Sequence, residues 1–238
     1  MRLSVRRAVV LTVAFLLVAG LTTGLRQWHE RAAADAVNSA RCERFTDQQQ
    51  ARAAADSGSG ARVLVIGDSW SAGFALPHPE RSWPVRLAGR VHVDGFPGSG
   101  FSAGASGCAG VAYFERAATD LRPAPALVVV QGGLNDYDQP SAAIEAGFHR
   151  LMSRLSNQRV VVVGPPMAPS RAAEVPRVDR LLASLCKQAG VPYLSTVDLR
   201  LSYVADRLHP DQAGTDAFGD AVAAFVRQTV GPLDAPLD

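Results

Sequence analysis

Residues 62–73 read RVLVIGDSWSAG, and the reading of this stretch decides the fold. Val63, Leu64, Val65 and Ile66 form an uninterrupted, largely β-branched apolar run, the pattern of a strand buried on both faces in a parallel sheet. The run stops at Gly67, Asp68 and Ser69, with Ser71, Ala72 and Gly73 behind. A serine at the carboxyl end of such a strand lies where open α/β sheets place their sites. The same residues would also serve as a plain helix start, because Asp and Ser are good N-caps. Partners elsewhere in the chain have to decide between nucleophile and cap.

Working outward, strand and helix patterns alternate to the end of the chain. Residues 83–90 predict a short helix, 91–93 a second strand, and 94–110 a loop dense in Gly and Ser. Residues 113–121 read as a helix stopped by Pro123, and 126–130 as a strand that ends in QGGLND. Ile144, Phe148, Leu151 and Leu155 keep a helical period over 141–155, and a strand over 160–163 ends at Pro165 and Pro166. A helix over 175–189, a last strand over 191–195 and a closing helix over 212–230 complete the series. This alternation predicts an α/β fold, a three-layer α/β/α sandwich around a central, mainly parallel five-stranded sheet of flavodoxin-like type. The domain spans 61–231, and the Pro-containing residues 232–238 read as a flexible tail.

Ahead of the domain, residues 8–25 carry no charge and follow Arg2, Arg6 and Arg7. About 18–20 apolar residues suffice to cross a bilayer, and flanking positive charges stay on the cytoplasmic side. Residues 1–25 therefore read as a signal anchor, or as a signal peptide with Val18-Ala19-Gly20 as a cleavage candidate. The first places the chain in the cell membrane, single-pass with the folded domain outside; the second makes it secreted. Residues 26–60 are a stalk or linker, helical or disordered over 26–56 and broken by Ser57-Gly58-Ser59-Gly60.

With 238 residues, 47% of them hydrophobic, the chain can bury one sizeable core. The net charge of +2 and the scattered basic residues give no footprint for nucleic acid. Five dispersed histidines, with no Cys/His pair at zinc-ligand spacing, point to no metal, and no cofactor is expected. Cys42, Cys108 and Cys186 allow at most one intramolecular bridge. Cys186 lies in a periodic helix and reads as a small buried hydrophobe, so the expected disulfide joins Cys42 and Cys108.

A serine hydroxyl needs a base within hydrogen-bond reach and a group that orients the base. Asp206-Arg207-Leu208-His209 supplies both in one turn ahead of the last helix, although a surface Asp-His pair near a helix start would look the same. Oxyanion donors are available from the Ser69 N–H, from a glycine N–H within Phe96-Pro97-Gly98-Ser99-Gly100, and from the Asn135 amide. Ser, Gly, Asn and His in this order, in the blocks GDSW, GFPGSG, GLND and DRLH, resemble the SGNH (GDSL-like) hydrolase family over about residues 62–230. The resemblance implies Ser69 as nucleophile, His209 as base, Asp206 as its orienter, and Ser69, Gly98 and Asn135 as the oxyanion hole, with Gly100 as the alternative to Gly98. Trp70 stands where that family most often has leucine, and the second block lacks its usual asparagine. Trp70, Phe101 and Tyr137, near Ser69 and the blocks, are candidates for an apolar pocket, with Phe74 and Phe96 close by, although packing beneath a loop would give the same pattern.

The implied activity is hydrolysis of a short acyl or acetyl ester, the substrate being a small molecule or a glycan or lipid ester. An O-acyltransferase of the cell envelope would use the same acyl-enzyme, and a binding module could keep the fold without the chemistry. A nucleotide site at Gly98-Ser99-Gly100-Phe101-Ser102-Ala103-Gly104 fits poorly, because no long apolar strand leads directly into it.

Overall fold

The computed structural model describes residues 2–117 and 121–233, with side chains from residue 26 onward. The chain forms two compact units, Met1–Glu43 and Arg44–Asp238. Helix α1 (Arg2–Ala53) makes up the first, and its turns from Arg44 on belong to the second. Among the described residues no helix is long and apolar enough to cross a membrane. The apolar run 8–25, on which the anchor expectation rests, lies outside the residues whose side chains are described, and the tail beyond 233 lies outside the described residues.

The second unit is built on five parallel strands: β1 (Arg62–Gly67), β2 (Arg90–Gly95), β3 (Leu127–Gln131), β4 (Val160–Val163) and β5 (Tyr193–Leu194). Their order is β2-β1-β3-β4-β5, and every pairing is parallel. The register sets Val63 beside Leu127 and Gly67 beside Gly95, so β1, β2 and β3 end at nearly the same level. The chain leaves β1 first to one side and then to the other, which opens a crevice at the carboxyl edge between β1 and β3.

Period-two alternation divides the core. Val63 and Val65 pack on one face with Trp70, Trp83, Phe218 and Val222, the last two from the closing helix α6 (Gln212–Val230). Leu64 and Ile66 pack on the other with Phe101, Tyr113, Phe148, Leu151 and Leu182. These come from the 101 loop, the short helix α3 (Tyr113–Arg116), α4 (Ser141–Arg154) and α5 (Val175–Ala189). Burial of both faces is why β1 and β3 carry no polar alternation.

Several boundaries differ from the sequence expectation. No α-helix forms over 83–90: Trp83–Arg86 is a 3₁₀ turn with Pro84 inside it, ended at Leu87. β2 is longer than expected because Arg90, Asp94 and Gly95 also pair with β1, and β5 is shortened to two residues. The break at 57–60 is tied down, since Ser57 exchanges both backbone hydrogen bonds with Val91 at the outer edge of β2. That contact covers part of an otherwise open sheet edge. Cys42 and Cys108 are each disulfide-bonded, and Cys186 is free and buried.

Candidate active site

The candidate site residues gather at the carboxyl edge of the sheet, Ser69 after β1, Gly98 after β2 and Asn135 after β3. β1 delivers the chain into helix α2 (Ser69–Ala72), whose N-cap is Asp68: its Oδ1 accepts the Trp70 N–H at 2.9 Å. Gly73 closes the turn in a left-handed conformation. Ser69 thus occupies the first helical position, where the backbone N–H has no partner within the helix.

The turn 204–209 brings the base. Asp206 Oδ1 accepts the N–H groups of Leu208 and His209 at 2.8 and 2.9 Å, and its Oδ2 lies 2.7 Å from His209 Nδ1. Arg207 takes a left-handed backbone conformation to make this fold-back. The other ring nitrogen, Nε2, lies 3.0 Å from Ser69 Oγ. Asp206, His209 and Ser69 therefore form one hydrogen-bonded line. Burial pushes the Asp206 carboxyl up, but its hydrogen bonds from the His209 ring and from the N–H groups of His209 and Leu208 outweigh this and hold it below the usual range.

The loops after β2 and β3 complete the rim. Gly98 is left-handed, with φ of 84°, and a Cβ there would meet nothing closer than Ser106 Oγ at 3.9 Å, so its backbone faces open space. Gly100 differs: a Cβ would strike Asp136 Oδ2 at 2.5 Å and Ala105 at 2.7 Å, so glycine is needed there for packing. Asp136 explains the crowding, since its two carboxylate oxygens accept the N–H groups of Phe101 and Ser102 at 3.0 and 2.8 Å. Asn135 is buried and donates from Nδ2 to the Ser99 carbonyl at 2.9 Å, which leaves the second amide hydrogen for another acceptor.

Three supports of the site escape a reading of the sequence alone. Arg171 donates from Nη1 to Asn135 Oδ1 and to the Leu134 carbonyl, both at 2.7 Å, while its guanidinium stacks on Tyr137 at 4.3 Å. That fixes which end of the Asn135 amide is the donor. Arg116 is buried and donates to the carbonyls of Gly67, Asp94 and Val111, and pairs with the Asp94 carboxylate, so it ties the ends of β1 and β2 together. Trp70 donates from Nε1 to the Leu208 carbonyl at 3.2 Å, a strut from the first block to the residue before His209. Nothing in local spacing marks Arg116 and Arg171 beyond a charged side chain near a small-residue loop, and Trp70, though it stands in the first block, gives no sign there of its role as a strut.

Two pocket expectations are corrected. Trp70 and Phe101 do not line the site: Trp70 is buried against Phe218 and Tyr203, and Phe101 against Tyr113 and Phe148, because each fills the core beneath its loop. Tyr137 stays at the rim under Arg171. Phe74 does meet the triad, its ring centroid 4.7 Å from that of His209. Among the described residues no group of three or more His, Cys, Asp or Glu side chains could hold a metal ion.

Comparison with known proteins places this arrangement. Residues 65–217 match the model of the GDSL-like lipase/acylhydrolase family. None of the curated protein sequences matches the chain. Among solved structures it resembles the native aryl esterase of M. smegmatis, at 20% identity and a TM-score of 0.61 over 71% of this chain and 99% of that one. It likewise resembles a carbohydrate acetylesterase from Sinorhizobium meliloti, at 18% identity and a TM-score of 0.62 over 71% and 99% of the two chains. With its all-parallel sheet, its Ser, Gly, Asn and His blocks in order and a family match across most of its length, the chain belongs to the GDSL-like lipase/acylhydrolase family and is an SGNH-type ester hydrolase.

Proposed function

We propose that the chain hydrolyses carboxylic esters of short acyl groups through an acyl-Ser69 intermediate, on the outer side of the cytoplasmic membrane. The observation that carries this reading is the line Asp206 Oδ2 to His209 Nδ1 to Ser69 Oγ, with links of 2.7 and 3.0 Å. His209 Nε2 takes the hydroxyl proton as Oγ bonds to the ester carbonyl carbon, and Asp206 keeps the proton on Nδ1 and stabilises the imidazolium. The oxyanion that forms is met by the N–H of Ser69 and of Gly98 and by the Asn135 amide. Collapse breaks the carbon–oxygen bond to the alcohol, which leaves with the proton from Nε2. Water then attacks the acyl-serine with the same proton relay, releasing the carboxylic acid and restoring Ser69. The name of one neighbour, a carbohydrate acetylesterase, agrees with a small acyl group, and that of the other, an aryl esterase, with ester hydrolysis.

The test is turnover of a chromogenic acetate by variants whose fold is checked by circular dichroism. Ser69→Ala abolishes turnover and labelling by a fluorophosphonate; His209→Ala lowers the rate by roughly a thousandfold or more, and Asp206→Asn by less. Parent-like activity of Ser69→Ala overturns the assignment. Acylated glycan in place of free acid, when a glycan acceptor is added, would replace hydrolysis by acyl transfer.

A further inference from the structure

An open cleft of about 670 Å³ lies beside the catalytic line without containing any part of it. Its walls are mostly apolar, from Ala51 on α1 and Ala55 just past its end across to Ala72, Phe74, Leu76 and Pro79 in the segment that follows Ser69. The α1 side is held in place by named contacts. Phe45 meets Phe74 and Phe96 edge-on at 6.0 Å, Gln49 donates to the Asp94 carboxylate, and Arg52 donates from Nε to Ser82 Oγ at 3.5 Å. Residues 48–55 lie outside the 65–217 match, so this half of the cleft belongs to the chain and not to the family pattern.

Phe74 is the wall shared by cleft and site. One ring serves both, since it lines the cleft and packs on the His209 imidazole at 4.7 Å, and its N–H is anchored to the Ser69 carbonyl at 2.9 Å. The proton inventory of the reaction then says which half of an ester lies on this side. His209 Nε2 must hand its proton to the leaving oxygen, so the alcohol passes over the imidazole while the acyl carbonyl points to the donors of Ser69, Gly98 and Asn135.

We propose that this cleft is the alcohol subsite, and that the preferred substrates are esters joining a short acid to a long or bulky apolar alcohol. The inference rests on the esterase reading above. Its walls remove the alkyl part of such an alcohol from water, while the polar rim of Gln48 and Glu80 leaves the cleft open to solvent.

Hexyl acetate and ethyl hexanoate decide it, because they are isomers that differ only in which half is long; ethyl acetate serves as the short reference. The full chain should turn over hexyl acetate with a kcat/KM about tenfold above that for ethyl hexanoate. Ala51→Phe, an exposed position that fills the cleft, should lower kcat/KM for hexyl acetate by about tenfold and leave ethyl acetate within about twofold. As a second measurement, 1-hexanol should inhibit ethyl acetate turnover by the parent and inhibit Ala51→Phe more weakly. Equal rates on the two isomers, a preference for ethyl hexanoate, or an Ala51→Phe variant that keeps its hexyl acetate rate overturns the subsite while the esterase reading stands. A parent inactive on all three esters, and unlabelled at Ser69, overturns both.

Discussion

Asp68 stands beside the nucleophile yet contributes no atom to the catalytic line, and its burial has a measurable consequence. Burial pushes its carboxyl up to about 7, against the opposing pull of the Trp70 N–H and the Arg171 charge. An unfolded carboxyl ionises near ~4. Between about 4 and about 7 the folded chain therefore keeps a proton that the unfolded chain has released, and stability falls as pH rises through that window. Asp136, raised to about 6 by its own burial, adds in the same sense. Asp206 acts oppositely, since its lowered carboxyl contributes stability that is lost only as pH falls below the ordinary carboxylate range. Asp68→Asn keeps an oxygen to accept the Trp70 N–H and cannot ionise. The variant should lose less Tm than the parent between pH 5 and pH 8, and superimposable pH profiles for the two proteins would refute the assignment.

At the scale of elements, the last turns of α1 behave as part of the catalytic unit and not as a spacer. Phe45, Gln49 and Arg52 all contact the α/β layers, and Ser57 pairs with β2. A chain beginning at residue 44 should therefore be more stable than one beginning at residue 60, by about 3 kcal/mol from aromatic burial and its ring contacts. For a unit of this size that corresponds to roughly 6–12 °C in Tm. Both chains lack Cys42, so the disulfide does not enter the comparison, and equal Tm values would show that the helix end is dispensable. This end of α1 is also the part least legible in the sequence. β1 and β3 are legible because burial on both faces leaves an uninterrupted apolar run, and Asp206 and His209 because a short turn holds both. The end of α1 is opaque because a polar helix that half-buries one phenylalanine looks like a solvated stalk. Trp70 and Phe101 are ambiguous in the sequence for a related reason: an aromatic side chain next to a site motif has the same pattern whether it faces substrate or the core beneath it.

At the scale of the whole molecule, the reading turns on which side of a membrane the catalytic unit works. Two independent features bear on it. Arg2, Arg6 and Arg7 precede the uncharged residues 8–25, the asymmetry that in membrane-inserted segments goes with a cytoplasmic start and an exported remainder. Cys42 and Cys108 are each disulfide-bonded, a state that persists in oxidising compartments and is rare where glutathione and thioredoxin keep thiols reduced. Both features support the outward location proposed above, and neither depends on the esterase chemistry. If residues 8–25 anchor the chain, full-length protein expressed in bacteria should stay with the membranes after an alkaline carbonate wash. Protease added to intact spheroplasts should then digest the catalytic unit, and an impermeant thiol reagent should modify Cys42 and Cys108 only after a reductant is supplied from outside. Recovery of a shortened chain in the periplasm or medium would replace the anchor by a cleaved signal peptide while keeping the outward location. Full-length, protease-protected protein with reduced Cys42 and Cys108 in the cytosol would refute export altogether, and the natural ester would then have to be sought inside the cell.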